Sequence, residues 1–121
     1  MSGIELIAYE RLRQMEAEGF STKHDDAHVD GALLSAALCY AGVERLLAIG
    51  APVSRSTPPF EWPWSDADWK PSDDAIRNLV KAGALIAAEI DRLQRARYAD
   101  EQKCPECGFA HAPGQNTQCS R

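Results

Sequence analysis

The chain has 121 residues, 45% of them hydrophobic and 26% charged, and its 13 basic and 18 acidic side chains give a net charge of −5. This length suits one domain, the composition excludes a wholly disordered protein, and no apolar run approaches the length of a membrane span. The acidic balance argues against nucleic acid as the main partner. We expect a cytoplasmic protein without a membrane partner, because the first residues show no secretory signal.

The first predicted helix runs from about Ile4 to Glu18, where apolar residues recur at helical spacing. Gly19 stands where a left-handed residue is expected to end the helix. Arg11 falls within the apolar stripe, so we expect its stem to pack while its guanidinium reaches a partner.

A polar segment follows, in which two imidazoles and two carboxylates fall within five residues: His24, Asp25, Asp26 and His28. Such side chains could bind a divalent cation. Further ligands could come from the first helix or from the third, namely Glu10, Glu18 or Glu89.

Local structure is the other interpretation of this segment, and it is favoured. Asp25, Asp26 or Asp30 could cap the following helix, with His24 bonded to a carboxylate or a backbone group. The His-Asp adjacency is similar to that of metal-dependent phosphohydrolases, but the histidines outside the tail number only two. Helical nucleotide pyrophosphatases of phages pair their carboxylates at i, i+3 on one helix face, a spacing that Glu89 and Asp91 lack.

The second predicted helix runs from about Asp30 to Ile49 and is apolar nearly all round, which indicates a central helix covered on more than one side. Cys39 is expected to be a buried packing residue of this helix. The sequence Gly50-Ala51-Pro52 ends it.

Residues 51–71, here called the tryptophan loop, contain five prolines and all three tryptophans. Successive prolines exclude a helix, and the length exceeds that of most connections. The loop is interpreted either as a structured lid over the helices, which is favoured, or as an interaction surface formed by Trp62, Trp64 and Trp69.

The third predicted helix follows Pro71, with Ser72 as its N-cap and with Asp73 and Asp74 at the positive end of its dipole. A continuous apolar stripe follows: Ile76, Leu79, Val80, Gly83, Ile86, Ile90 and Leu93. Gly83 is costly within a helix, so its position suggests a close contact between helices.

Four blocks together resemble a family of small uncharacterised proteins of tailed bacteriophages and prophages. They are Glu10-Arg11-x-Arg13-Gln14 with Glu18-Gly19-Phe20; His24-Asp25-Asp26-x-His28; Trp62-Pro63-Trp64 with Trp69-Lys70-Pro71; and Arg77-x-Leu79-Val80-Lys81-Ala82-Gly83-Ala84-Leu85-Ile86-x-Ala88-Glu89-Ile90-x-Arg92-Leu93. The resemblance covers residues 4 to about 95. It implies a phage context and a site of action in the host cytoplasm, and it implies no catalytic activity.

The last residues carry a Cys-x-x-Cys-Gly turn followed by a histidine and a further cysteine: Cys104, Cys107, His111 and Cys119. This pattern resembles a zinc knuckle with a longer last interval, and it predicts a structural zinc site. A disulfide and a redox pair are less favoured, because the protein is expected to be intracellular and no strand–helix context surrounds the pair. The other alternative is a flexible tail without a ligand, because so short a segment needs the metal to become ordered.

These observations predict an all-α protein, with a three-helix domain over residues 1–100 and a zinc-binding tail over residues 101–121. The expected function is that of a phage or prophage accessory protein that binds a host or phage protein without catalysis, for example a component of host defence. The alternative is a nucleotide-binding or nucleotide-hydrolysing protein that uses Mg²⁺ or Mn²⁺ at the His-Asp-Asp-x-His segment. The sequence does not decide whether the chain forms a homo-oligomer.

Overall fold

The computed structural model describes residues 1–102, and side chains as far as residue 99. This part of the chain contains four α-helices and a short 3-10 helix: α1 (Gly3–Ala17), α2 (Thr22–Asp26), α3 (Ala32–Ala48), the 3-10 helix (Asp66–Asp68) and α4 (Ala75–Gln102). The all-α prediction is therefore confirmed over the described residues. No helix in this part of the chain is long and apolar enough to cross a membrane.

The chain divides into two compact units, Met1–Glu89 and Ile90–Arg121, with the boundary inside α4. Of the second unit, the structure describes only the C-terminal part of α4. The predicted zinc ligands lie outside the described residues, so the zinc tail and the division at residue 100 stay predictions. These ligands are Cys104, Cys107, His111 and Cys119.

Both ends of α1 agree with the sequence prediction to within one residue. Ser2 caps its start by a reciprocal pair of hydrogen bonds, in which the Ser2 hydroxyl accepts from the Glu5 N–H and the Glu5 carboxylate accepts from the Ser2 N–H, each at 3.1 Å. At the other end Gly19 adopts a left-handed φ of 72°. The chain then folds back, and the Phe20 N–H donates to the Gln14 carbonyl at 2.9 Å.

The helix α2 was not predicted, because five residues are too few to show an apolar period. It begins after Ser21, whose hydroxyl accepts from the His24 N–H at 3.1 Å. The prediction that Asp25, Asp26 or Asp30 caps the next helix is wrong, because the N-cap residue of α3 is Gly31, which no side chain caps. The Asp30 carboxylate accepts from the Ala32 N–H at 3.2 Å and so shapes the turn before α3. Asp25 and Asp26 instead lie within α2.

The prediction that Ser72 caps the last helix is wrong. The helix α4 begins at Ala75, and the Asp74 carboxylate accepts from the Ile76 N–H at 3.0 Å, which is the bond of an N-cap. The Ser72 hydroxyl accepts from the Asp74 N–H instead, at 3.0 Å, so it shapes the turn before the helix.

The core of the first unit surrounds α3, as its apolar sequence predicted. Six buried side chains of α3 meet buried side chains of α4 and Trp69: Leu33, Ala36, Ala37, Cys39, Tyr40, Val43, Ala82, Leu85 and Ala88. Cys39 is only 4% exposed, which confirms it as a packing residue. Burial also raises the pKa of its thiol, so the reactive thiolate is disfavoured.

The buried face of α4 coincides only in part with its predicted apolar stripe. Val80 of the stripe is 7% exposed, whereas Ile76, Leu79 and Ile86 are between 43% and 62% exposed within the described chain. The buried face consists mainly of small residues outside the stripe, namely Ala82, Ala84 and Ala88, together with Leu85. At Gly83, α4 meets Ile7 of α1, which confirms the predicted close contact between helices.

The tryptophan loop packs on the helical core. Trp69 is 7% exposed and stacks on Tyr40 with 4.5 Å between ring centroids, while its indole N–H donates to the Arg55 carbonyl at 2.8 Å. Near its start the loop is tied to α3 by a bidentate ion pair from Arg55 to Glu44, at 2.7 and 2.8 Å. The loop is therefore held in place by side chains, without regular backbone pairing.

Candidate functional site

A cavity of about 520 Å³ lies in the first unit, where the C-terminal half of α1, the segment around α2 and the tryptophan loop meet. Its lining comes from all four helices and the loop: Glu10, Arg13, Gln14, Ala17, Glu18, Phe20, His24, His28, Tyr40, Trp62, Trp64, Asp68, Lys70, Lys81 and Leu85. Both aromatic and charged side chains are concentrated here, although they are far apart in the sequence.

Aromatic rings form a continuous chain of contacts along this cavity. Phe20 stacks on His24 with 4.4 Å between centroids, and His28 lies 5.3 Å from Trp64. Trp64 then meets Trp62 edge to face at 5.4 Å. Flat apolar faces of this kind suit a planar ligand, because stacked or edge-to-face rings attract one another beyond the effect of burial.

The carboxylate of Glu10 is fully desolvated at the cavity wall and is held by two guanidinium groups. Arg13 donates to both of its oxygens at 2.7 Å, and Arg77 of α4 lies 2.6 Å from Oε1. Burial by itself would raise the pKa of the Glu10 carboxyl, but the hydrogen bonds and charges of the two arginines outweigh it, and the pKa lies below its ordinary value. Glu10 is therefore an anchored anion.

Gln14 presents a buried polar atom without a partner among the described residues. The residue is 3% exposed, and its amide N–H donates to the Glu10 carboxylate at 3.2 Å, which fixes the orientation of the amide because a carboxylate only accepts. Its amide oxygen then has no hydrogen-bond donor. A buried acceptor in this state needs a donor from a ligand or a water molecule.

Lys81 supplies a cation at the same cavity. Its ammonium donates to the Lys70 carbonyl at 2.5 Å and lies 5.6 Å from the centre of the Tyr40 ring, a cation–π contact. Burial lowers the pKa of the Lys81 ammonium, and the neighbouring charge of Arg77 lowers it further. Side chains of both charges therefore line the cavity, because Glu18 and Asp68 also contribute to its wall.

A line of polar contacts runs from α1 to the histidines. Arg11, as the sequence predicted, reaches a partner: its guanidinium donates to the fully buried carboxylate of Asp25 at 2.8 Å. The other oxygen of Asp25 lies 3.0 Å from His24 Nδ1, and His24 Nε2 lies 3.3 Å from His28 Nε2. The buried carboxylate therefore orients the first imidazole, and the two Nε2 atoms face one another.

The structure brings together only some of the residues proposed as a second metal or ligand site. His24, His28 and Glu10 line the cavity, and Asp25 lies directly behind His24. Asp26 is exposed on α2, while Glu89 is buried on α4 and does not line the cavity. Over the described residues, no three histidine, cysteine or acidic side chains are placed to hold one metal ion.

Two of the three tryptophans proposed as an interaction surface reach the cavity. Trp62 and Trp64 are half-buried and line it, whereas Trp69 belongs to the core. The sequence interpretation overlooked Gln14 and Lys81 as site residues, because helical spacing shows which residues share a face but not which helix lies opposite.

Comparison with protein-family models gives no match, and no curated protein and no solved structure is significantly similar to the chain.

Proposed function

We propose that this protein acts by binding, and that its cavity takes a small planar molecule with hydrogen-bonding edges, of the nucleobase, nucleoside or nucleotide class. The observation that carries the proposal is the unpaired Gln14 amide oxygen beside aromatic walls. An amino or ring N–H group of a base would satisfy that oxygen while the ring stacks on Trp62 or Trp64.

The size and charge of the cavity support this ligand class. Ligand cavities commonly measure about 300–1,000 Å³, a range that includes this one. Acidic side chains can accept from a base, and Lys70 and Lys81 can donate to a sugar or a phosphate. Because charges of both signs are present, a ligand with separate polar groups fits better than a simple anion.

Binding without catalysis is the favoured hypothesis. It agrees with the accessory role in a phage or prophage that the resemblance of the sequence blocks implies. A protein partner from the host or the phage is still proposed, and it could cover the exposed apolar side chains of α4 in the first unit, namely Ile76, Leu79 and Ile86. One observation favours the second candidate, nucleotide hydrolysis: Asp25 orients His24 as a carboxylate orients the histidine of a general base.

Calorimetric titration with adenine, guanine, cytosine and thymine nucleosides and their mono- and triphosphates tests the proposal. Trp64→Ala should weaken the binding of the preferred compound by about 5- to 150-fold, since stacking on an aromatic side chain contributes roughly 1–3 kcal/mol per base. Phe60→Ala is the matched control, because Phe60 lies in the same loop, is fully exposed and does not line the cavity.

Gln14→Met tests the hydrogen bond separately, because it preserves the length of the side chain and removes the amide. The Gln14→Met variant should bind compounds that offer an N–H donor more weakly, and its affinity for other compounds should be unchanged. Failure of every compound to bind the unaltered protein would refute the proposed ligand class. Chromatography of the same mixtures separates the two candidates: intact nucleotide indicates binding alone, whereas hydrolysis that His24→Phe abolishes indicates the enzyme.

A further inference from the structure

We propose that His24 and His28 bind one divalent transition-metal ion through their two Nε2 atoms, with the remaining coordination positions open to the cavity. The proposal concerns the metal alone and does not depend on the nucleotide class proposed above. It narrows the candidate metal site to two ligands and gives Asp25 a supporting role.

The distance between the two nitrogen atoms fits a shared ion. Zinc–imidazole bonds are about 2.0–2.1 Å long, so two imidazole nitrogens in tetrahedral positions lie about 3.3–3.4 Å apart. The Nε2 atoms of His24 and His28 are 3.3 Å apart. This separation exceeds the usual distance of about 2.9–3.0 Å between the donor and acceptor atoms of a hydrogen bond from an N–H group, so a direct hydrogen bond between the rings would be long.

The contact with Asp25 favours the tautomer of neutral His24 that metal binding requires. A metal-bound Nε2 needs a free lone pair, so the proton must be on Nδ1. His24 Nδ1 lies 3.0 Å from the Asp25 carboxylate, which can only accept, and Asp25 is itself held by Arg11 at 2.8 Å. Carboxylates of this kind orient metal-binding histidines in many sites and raise their basicity.

The two rings are also restrained by packing. Phe20 stacks on the His24 ring, and Trp64 lies against the His28 ring. The pair therefore loses little side-chain freedom on binding an ion. Both histidines line the cavity, so water or a polar group of a ligand can complete the coordination.

Nickel and zinc ions are the appropriate probes, because imidazole nitrogen is a good ligand for both. The full chain is used with Cys104→Ser, Cys107→Ser and Cys119→Ser, so that the predicted zinc site in the tail does not contribute. Calorimetry and native mass spectrometry should then find one ion per chain.

His24→Phe and His28→Phe retain a ring against Phe20 and Trp64 and remove the ligating nitrogen. Each should reduce the affinity for the ion by about tenfold or more. His111→Phe is the matched control, because the chain has only three histidines, and it should leave the affinity unchanged. Circular dichroism checks folding; if His24→Phe is unfolded, His28→Phe decides the question.

A second measurement places the ion beside the cavity. Cu²⁺ quenches tryptophan fluorescence at short range, and the His28 ring is 5.3 Å from Trp64. Quenching should disappear in His28→Phe and persist in His111→Phe. The proposal is overturned if the chain without tail cysteines binds no ion, or if both His→Phe variants at positions 24 and 28 bind as tightly as their parent.

Discussion

Gly83 lies where α4 crosses α1, and replacing it with leucine should destabilise the protein. A Cβ atom at this position would lie 2.6 Å from Cδ1 and 2.9 Å from Cγ1 of Ile7. Nonpolar carbon atoms are normally separated by about 3.5–4.0 Å, so the added group overlaps Ile7 by roughly 1 Å. A leucine adds further atoms in the same direction.

The expected loss of stability follows from two opposing contributions. Overpacking of this kind costs about 1–3 kcal/mol, while replacing glycine by a good helix former returns up to about 1 kcal/mol. The free energy of unfolding should therefore fall by up to about 2 kcal/mol. For a domain of this size the upper value corresponds to a decrease in Tm of roughly 8–16 °C.

Urea unfolding followed by circular dichroism measures the change, and Gly42 supplies a matched control. Gly42 lies within α3, and a Cβ there would meet no atom within 4 Å. Gly42→Ala should thus stabilise the protein, and Gly83→Ala should stabilise it less or destabilise it. In an Ile7→Ala background, Gly83→Leu should become less harmful. A Gly83→Leu variant more stable than its parent would refute the assignment of this crossing.

Glu10→Ala should lower the free energy of unfolding by about 1–3 kcal/mol, less than for most buried ion pairs, because Arg13 and Arg77 are more than a third exposed and can regain water. The contribution of Glu10 and Glu44 to stability should be fully present above about pH 5 and decrease below about pH 4.5, since their pKa values are lower in the folded protein than in the unfolded chain; urea unfolding across that range measures the decrease. Native mass spectrometry should detect one zinc ion per chain that Cys104→Ser releases, and metal-free protein from a purification without chelator would contradict the predicted tail site.

The three long helices could be predicted because each carries its own periodic signal. The apolar repeat of α1 and its terminal Gly19 place both ends correctly, and the continuous apolar sequence of α3 identifies the central helix. The short helix α2 has no such signal. The N-cap of α4 was assigned two residues too early, because Ser72 and Asp74 are both good caps and only the turn geometry chooses between them.

The cavity could be predicted only in part. The polar segment indicated His24 and His28 as candidate site residues, and both line the cavity. The place of Arg11 within the apolar stripe of α1 predicted that its guanidinium reaches a partner, which is Asp25. The link between Glu10 and Arg77 joins residues far apart in the chain and depends on how α1 packs against α4. Sequence periodicity carries no information on such pairings, which is why the convergence of aromatic and charged side chains was not anticipated.

The tryptophan loop forms one wall of the cavity, and side-chain contacts hold it both at its ends and at Trp62 and Trp64. Arg55 forms an ion pair with Glu44, and the Trp69 indole donates to the Arg55 carbonyl. The Lys70 N–H donates to the Tyr40 hydroxyl at 3.3 Å. Between these anchors lies Phe60, which is fully exposed. The outer wall can therefore move away by breaking side-chain contacts alone, at a smaller cost than that of unfolding a helix. A molecule could enter and leave the cavity on the timescale of a loop motion while the helical frame stays intact.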